Sequence, residues 1–366
     1  MVIRTEEDRS VARCRWAPLL PRQLYKNQKE SHNVDISWNS YPVNEKRAFS
    51  RRHVEQLNQK LKSGEYRLEH VDCINCGSSS HKLLFSNDRY GIKWRTVVCK
   101  RCGLVYSNPR FDSPSNQRFY NTDEYRQLYN ADDLKDVSPR FAERATKSTD
   151  GYNKLGYFEM VRDLLPQIDT VLDFGAGAGS KLLPFIDAGK KCVGYDFSPA
   201  MVAAGKEQGI DMVQGGEEAV VGTYDLLMLN HTLEHLLDPI EQLRRLRKHL
   251  ADDGHLLIEV PGFVDKVPSL QNAHTYYFSP RTLESILGVA GFRLREMREI
   301  SQNGFILATF TKGDSISSAV DDDEYRRIAA IVRRSRLRIA RQLVANRLPT
   351  PLRNLAKEVM RAGRRK

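Results

Sequence analysis

The sequence predicts an α/β protein: a mostly parallel, helix-flanked sheet with an antiparallel last strand, preceded by a small four-cysteine β-module and followed by a basic helical tail. Three observations predict this. An apolar run breaks into glycines at Thr170-Val-Leu-Asp-Phe-Gly-Ala-Gly-Ala-Gly179. Two C-x-x-C-G units stand at Cys73 to Gly77 and Cys99 to Gly103. The last two strand-like runs, 292–300 and 304–311, are joined only by a short turn, which makes them antiparallel.

Val171, Leu172 and Phe174 around Asp173 read as a short buried parallel strand, and Gly175, Gly177 and Gly179 let the backbone turn sharply into a helix over 180–188. A second strand, 192–195, ends at Asp196, 21 residues beyond Gly175, where a βαβ unit presents a carboxylate to a ribose diol. The loop is G-x-G-x-G with an acid two residues before it, not the G-x-G-x-x-G that meets a pyrophosphate, so a cationic, phosphate-free ligand is favoured. Ser198-Pro199 supplies an N-cap and first-turn proline to the next helix. Strands at 211–216, 224–230 and 255–260 and helices at 239–250 and 280–290 complete the alternation.

At 366 residues the chain accommodates one large α/β domain and a smaller module. No apolar run reaches the ~20 residues of a membrane span and the N-terminus has no signal-like core, so a cytoplasmic protein is expected. The net charge of +11 belongs to the tail: 326–366 hold 14 Lys and Arg against one acid, and the remaining body is slightly acidic. Nucleic acid is therefore an unfavoured partner.

Cys73, Cys76, Cys99 and Cys102 form two knuckles, each bringing two thiolates to one ion over a glycine turn, the pattern of a tetrahedral zinc ribbon over 69–110. Four thiolates leave no open position, so this Zn2+ is structural. Before it, 1–68 read as an irregular lead with one helix at 53–62. After it, 111–156 read as a helical connector whose aromatics Phe119, Tyr120, Tyr125 and Tyr129 form a packing stripe or a cap on the active site.

Asn230, His231, Glu234 and His235 follow the fourth strand, at the sheet edge where α/β proteins bind ligands. His231 to His235 also matches H-x-x-E-H. That zinc-peptidase reading fails because the motif ends a strand and does not lie inside a long helix; a looser divalent site or simple capping are the other readings. After the fifth strand, Asn272-Ala-His-Thr-Tyr-Tyr-Phe-Ser279 puts His274 beside two tyrosines, which suits general-base work or aromatic packing.

Over 157–312 the chain resembles the class I S-adenosylmethionine-dependent methyltransferases, whose first motif is acid-x-Gly-x-Gly-x-Gly and whose second strand ends in an acid. The resemblance implies a Rossmann-like sheet. It implies that Asp173, Gly175, Gly177 and Gly179 face the methionine and ribose, that Asp196 and Phe197 lie at the nucleoside, and that Asn230 joins the cofactor site. With the four-cysteine module, the Leu-Glu-His start at Leu233 and the His-x-x-Tyr-Phe-Ser loop, the chain is more particularly similar to nucleotide-sugar C-methyltransferases and their polysaccharide-cluster relatives. That similarity implies acid/base roles for His235, Glu234 and His274. Here Ala273 replaces the family's glutamate and the family's large carboxy-terminal domain is missing. Forming an enolate needs a stronger base than assisting a hydroxyl, so O-methylation of a nucleotide-linked or lipid-linked sugar is expected over C-methylation. The alternatives are a zinc-ribbon RNA methyltransferase, which should show a basic body and an Asn-Pro-Pro-aromatic motif, and a non-catalytic scaffold. In the tail, 313–366, Ile328, Ile331, Val332, Ile339 and Leu343 alternate with arginines at helical spacing. This suits a helix lying on an anionic membrane surface, or one packed on protein. The oligomeric state has no sequence signal.

Overall fold

The computed structural model describes residues 51–122, 124–125, 156–265, 267–300, 304–318 and 321–347. The lead 1–50, Tyr129, the helices expected from 139 to 155 and the segment beyond 347 lie outside the described residues, as do the side chains of Ile339 and Leu343. In chain order the elements are α1 (Arg51–Ser63), β1 (Leu68–Glu69), β2 (His81–Phe85), β3 (Thr96–Cys99), β4 (Val105–Ser107), β5 (Arg110–Phe111), α2 (Ser113–Asn121), α3 (Tyr157–Met160), β6 (Thr170–Phe174), α4 (Leu183–Asp187), β7 (Lys191–Asp196), α5 (Pro199–Glu207), β8 (Met212–Gln214), β9 (Tyr224–Asn230), α6 (Pro239–Leu246), β10 (Leu250–Pro261), β11 (Tyr276–Tyr277), α7 (Pro280–Val289), β12 (Phe292–Ile300), β13 (Phe305–Lys312) and α8 (Asp322–Arg347).

The large sheet has the order β12-β13-β10-β9-β6-β7-β8. The five strands from β10 to β8 run parallel, and β13 is antiparallel to both its neighbours. The chain order reverses between β6 and β9, and in open α/β sheets the crevice outside the carboxyl ends of the strands at such a switch point is where ligands bind. Interior strands are apolar because both faces are covered: Val171 and Leu172 of β6 and Leu226 to Leu229 of β9 are buried. Edge strand β12 instead alternates arginine and glutamate along a largely exposed run, which keeps its open edge soluble. One helix starts later than its sequence suggests. Turns carry the chain from the glycine loop to Leu182, and α4 starts with Pro184 in its first turn. Helix α6 passes at Leu246 into a 3-10 turn, Arg247–His249, before Leu250 of β10 pairs with Tyr224 of β9.

The second sheet has the order β11-β4-β3-β2, antiparallel throughout. In each knuckle the glycine N–H returns to the first cysteine's carbonyl (Gly77 to Cys73, 2.7 Å; Gly103 to Cys99, 3.1 Å), which gathers all four sulfurs. Cys73 Sγ lies 3.5 Å from Cys102 Sγ and Cys76 Sγ 3.6 Å from Cys99 Sγ. These separations exclude disulfides and match the roughly 3.8 Å edge of a tetrahedron with 2.3 Å metal–sulfur bonds.

Residues 51–68 are more ordered than an irregular lead: Leu57 of α1 and Tyr66 are buried with Trp94, Phe111 and Phe119. In the tail, the described part of the helix follows the reading in which it packs on protein. Ile328, Ile331 and Val332 of α8 are buried against Leu84, Phe85, Val98 and Phe263. Arg327 donates to the carbonyls of Val264 and Phe263, both at 2.9 Å, and Arg336 stacks on Phe85 at 5.3 Å. The apolar stripe of this part of α8 therefore meets protein. Gly103 is required there, since a Cβ would lie 2.8 Å from the Glu324 backbone. Ile331→Ala should accordingly cost about 2 to 5 kcal/mol, read as a lowered denaturation midpoint with an unchanged m-value.

Candidate active site

At the switch point Asp173, only 1% exposed, accepts from Asn230 Nδ2 at 3.5 Å through Oδ1, while its Oδ2 and Asn230 Oδ1 are buried acceptors with no hydrogen-bond partner. Burial pushes the Asp173 carboxyl up to about 7, and the Asn230 hydrogen bond opposes this only in part. The glycine loop hangs on the second strand. Gly175 and Ala176 N–H donate to Tyr195 O, Gly177 N–H to Asp196 Oδ2 at 2.8 Å, and Ser198 N–H to Asp196 Oδ1 at 2.9 Å. At Gly175 a Cβ would meet Thr232 Oγ1 at 2.4 Å, so glycine lets this loop abut the turn after β9. At Gly177, φ is 58° and no atom lies within 4 Å of a Cβ, so bare backbone faces open space. Gly179 packs on Ile210 and Met212, so its part is structural. Phe197, 56% exposed, lays its ring against Gly216.

The turn after β9 carries the second group. His231 takes a positive φ of 51°, held by its N–H to Glu259 O at 2.8 Å, and its Nε2 meets Glu259 Oε1 at 2.8 Å while Nδ1 lies 3.4 Å from Glu234 Oε1. Burial works against the imidazolium, but the close contacts and charges of Glu234 and Glu259 outweigh it and raise its pKa to about 9. Glu259 responds in kind: its burial is overcome by His231 and Lys181, and its carboxyl sits below the usual range.

Glu234 is wholly buried (0% exposed), and neither carboxylate oxygen has a hydrogen-bond partner. Besides His231, its Oε1 faces His274 Nε2 at 3.9 Å and His235 Nε2 at 4.0 Å. His235 Nδ1 lies 2.9 Å from Ala273 O and also 2.9 Å from the Tyr120 hydroxyl, which itself reaches that carbonyl at 2.9 Å. In the tautomer whose Nδ1–H donates to Ala273 O, Nε2 is the bare nitrogen. Burial lowers the His235 pKa and holds that of His274 well below its ordinary value, so both rings are neutral at neutral pH. The Gln271 amide contacts His274 Nε2 and is itself held by Arg89.

His274 owes its position to the cysteine sheet. Tyr276 and Tyr277 pair with Tyr106 and Val105, Ser107 N–H donates to Thr275 O at 2.8 Å, and Ser107 Oγ–H donates to His274 O at 3.0 Å. Asp88, on the same module, accepts Asn272 N–H at 3.1 Å. The connector divides its aromatics: Phe119 packs in the apolar core, while Tyr120 and Tyr125 stand over His235 at ring distances of 5.9 and 6.0 Å.

The structure thus places Asp173, Gly175, Gly177, Asp196 and Asn230 along one crevice, and Glu234, His235 and His274 in one cluster beside it, joined through Thr232. Tyr120 and Tyr125 follow the capping alternative for the aromatic run, whereas Glu259, Gln271 and Ser107 join the site without having been expected there. Glu259 had a signal, an acid inside the apolar run Leu256-Leu-Ile-Glu-Val260, the same sign that marks Asp173. Gln271 and Ser107 arrive through tertiary packing.

A family model described as a methyltransferase domain matches residues 122–297. The chain is 26% identical over 157 residues to the C-methyltransferase NovU of Streptomyces niveus, covering 39% of this chain and 37% of that one. It is 30% identical over 98 residues to the uncharacterized methyltransferase YcgJ of Bacillus subtilis strain 168, covering 24% and 39%. The chain thus spans under two-fifths of the length of either relative. Among solved structures, a TehB-like S-adenosylmethionine-dependent methyltransferase from Corynebacterium glutamicum matches with TM-score 0.37 and 20% identity over 48% of this chain and 97% of that one. The matched stretch is similar to a methyltransferase domain, and it coincides with most of the Rossmann-like α/β sheet.

Ser107→Ala would orphan Trp94 Nε1, which donates to Ser107 Oγ at 2.7 Å, and would release the His274 carbonyl. The expected cost is about 1 to 3 kcal/mol, with faster amide exchange in 272–277. Unchanged exchange there would show that the loop is held by other contacts.

Proposed function

We propose that this protein transfers the methyl group of S-adenosylmethionine to a hydroxyl of a nucleotide-linked or lipid-linked sugar. The observation that carries the reading is the pair of neutral imidazoles, His235 and His274, gathered at Glu234 beside the crevice. Rings whose basicity burial has lowered suit assistance to a hydroxyl, whose proton moves as the methyl arrives, better than removal of a proton from carbon. Methylation at carbon is the second reading. It is favoured by the similarity to NovU and by Glu234, which brings to His274 a carboxylate that Ala273 does not supply.

The crevice fits the cofactor by its own chemistry. Asp173 Oδ2 and Asn230 Oδ1 are unsatisfied buried acceptors suited to an ammonium group, Gly177 offers open backbone, and Asp196 and Phe197 stand where a ribose and an adenine would meet a carboxylate and a ring. Bound S-adenosylmethionine supplies an electrophilic methyl. The residues around it hold the acceptor in line, exclude water and receive the acceptor's proton at a bare imidazole Nε2. In the cysteine module a structural Zn2+ on Cys73, Cys76, Cys99 and Cys102 would tie down the sheet that carries β11. Among the described residues no helix is long and apolar enough to cross a membrane. An anionic membrane surface as partner rests on the arginines beyond Ile331 and the segment after 347, because the first half of the stripe is covered.

A screen for labelled methyl transfer to nucleotide sugars and glycan lipids tests the reading, and O- or C-linked product decides between its two forms. His274→Ala should lower turnover about 10² to 10⁴-fold while calorimetry finds cofactor affinity retained. If affinity for the acceptor collapses and turnover holds, the ring binds rather than catalyses.

Asp173 gives a pH signature. Its carboxyl, raised to about 7 in the free protein, should be pulled down by a cationic amino group, so binding releases a proton below pH 7. Cofactor affinity should therefore rise with pH by up to about tenfold per unit and level off above 7, and Asp173→Asn should flatten the profile. A flat wild-type profile would place the amino group elsewhere.

A further inference from the structure

Glu234, His235 and His274 meet in a way that acid–base work does not require. Each offers one ligand atom, all within 4.8 Å of one another, and they come from two separate loops, one after β9 and one before β11. Glu234 is wholly buried with two unpartnered oxygens, a costly arrangement for a carboxylate with only long contacts to imidazole nitrogens around it. His235 is set as metal-bound histidines usually are: its far nitrogen donates to a backbone carbonyl, Ala273 O, which orients the ring and leaves Nε2 bare towards Glu234. The Tyr120 hydroxyl bonds the same carbonyl and supports that orientation.

We propose that Glu234, His235 and His274 form a divalent transition-metal site, separate from the four-cysteine cluster. Two imidazoles and one carboxylate are a donor set for zinc, iron, cobalt or manganese, and three protein ligands leave positions open for oxygen donors, either water or the hydroxyls of an acceptor. Ligand atoms around one such ion stand about 3.0 to 3.4 Å apart, so the cluster closes by up to roughly an ångström and a half on binding. Gln271 contacts the His274 nitrogen and yields it to the ion. His231, 3.4 Å from Glu234 Oε1 and held on its other side by Glu259, is the positive neighbour with which the ion competes. The cysteine cluster is sulfur-only and closed, so the two sites differ in donor chemistry and in open positions. Ion binding does not depend on the identity of the methyl acceptor. Only the notion that acceptor hydroxyls complete the coordination rests on the sugar reading.

The test uses the full chain with its cysteine site loaded with zinc, titrated with Co2+ and followed by metal analysis, calorimetry and visible absorption. The expected result is a second ion per chain, with cobalt d–d bands but without the thiolate charge transfer of a sulfur site. Glu234→Gln and His274→Ala should each weaken that ion by at least about tenfold, and Gln271→Ala should keep or tighten it, while circular dichroism and cofactor binding stay as in the wild type. The Gln271 variant and the wild-type stoichiometry decide the matter even if a ligand variant unfolds. A folded wild type that saturates at one ion per chain overturns the proposal, as does a second ion indifferent to Glu234 and His274. Methyl transfer to a sugar without a second ion sinks the site and leaves the function standing. A second ion with no sugar methylated does the reverse.

Discussion

The constraint on which most of this structure depends is a piece of backbone pairing two residues long. Tyr276 and Tyr277 belong by sequence to the loop between β10 and α7, yet they hydrogen-bond to β4 and complete the cysteine sheet. Sequence-local forces cannot hold His274 beside Glu234, because 270–279 has no helix or hairpin of its own. The four-cysteine module supplies the missing edge, with Ser107 and Asp88 adding side-chain bonds to the same loop. A module that looks like an appendage in the sequence is therefore a wall of the candidate site.

The electrostatic character follows from where strands stop. Asp173, Asn230 and Glu259 lie at the carboxyl ends of β6, β9 and β10, with Asn230 and Glu259 in register, and Glu234 follows one turn later. Burying several acids in one place is unfavourable unless something positive shares the space. His231 does part of this for Glu259 and Glu234, at the expense of a left-handed backbone that a non-glycine residue rarely adopts. Asp173 and Asn230 keep unsatisfied oxygens instead, acceptors that only a hydrogen-bond donor from outside the chain would satisfy.

Most of the sheet was legible because its signals are local. The apolar run of β9 matches its strand from Tyr224 to Asn230, and the short turn before Phe305 made β12 and β13 antiparallel. Asp196 and Asn230 were legible as strand ends for the same reason, each standing where an apolar run stops. The start of α4 was not, since Pro184 and the turns after the glycine loop override helical periodicity. Tyr120 was legible only as one of an aromatic run, and Gln271 and Ser107 could not be read at all, because what makes them candidates is a buried loop for the first and a partner more than a hundred residues away for the second. The tail stripe was visible as a stripe, but one sequence cannot say whether lipid or Phe85 lies opposite Ile331.

The docking of α8 has a consequence for biosynthesis. Arg336 reaches back 252 residues to the carbonyl of Leu84, and Ile328, Ile331 and Val332 close the apolar face of a sheet whose first three strands emerge from the ribosome far earlier. Until that helix is translated, Leu84, Phe85 and Val98 face water or a chaperone, and the edge reserved for β11 stays open until the chain has passed Tyr277. The module must therefore gather its cysteines early and wait, so a truncated or stalled nascent chain would present an adhesive, half-covered sheet to the cell's quality control.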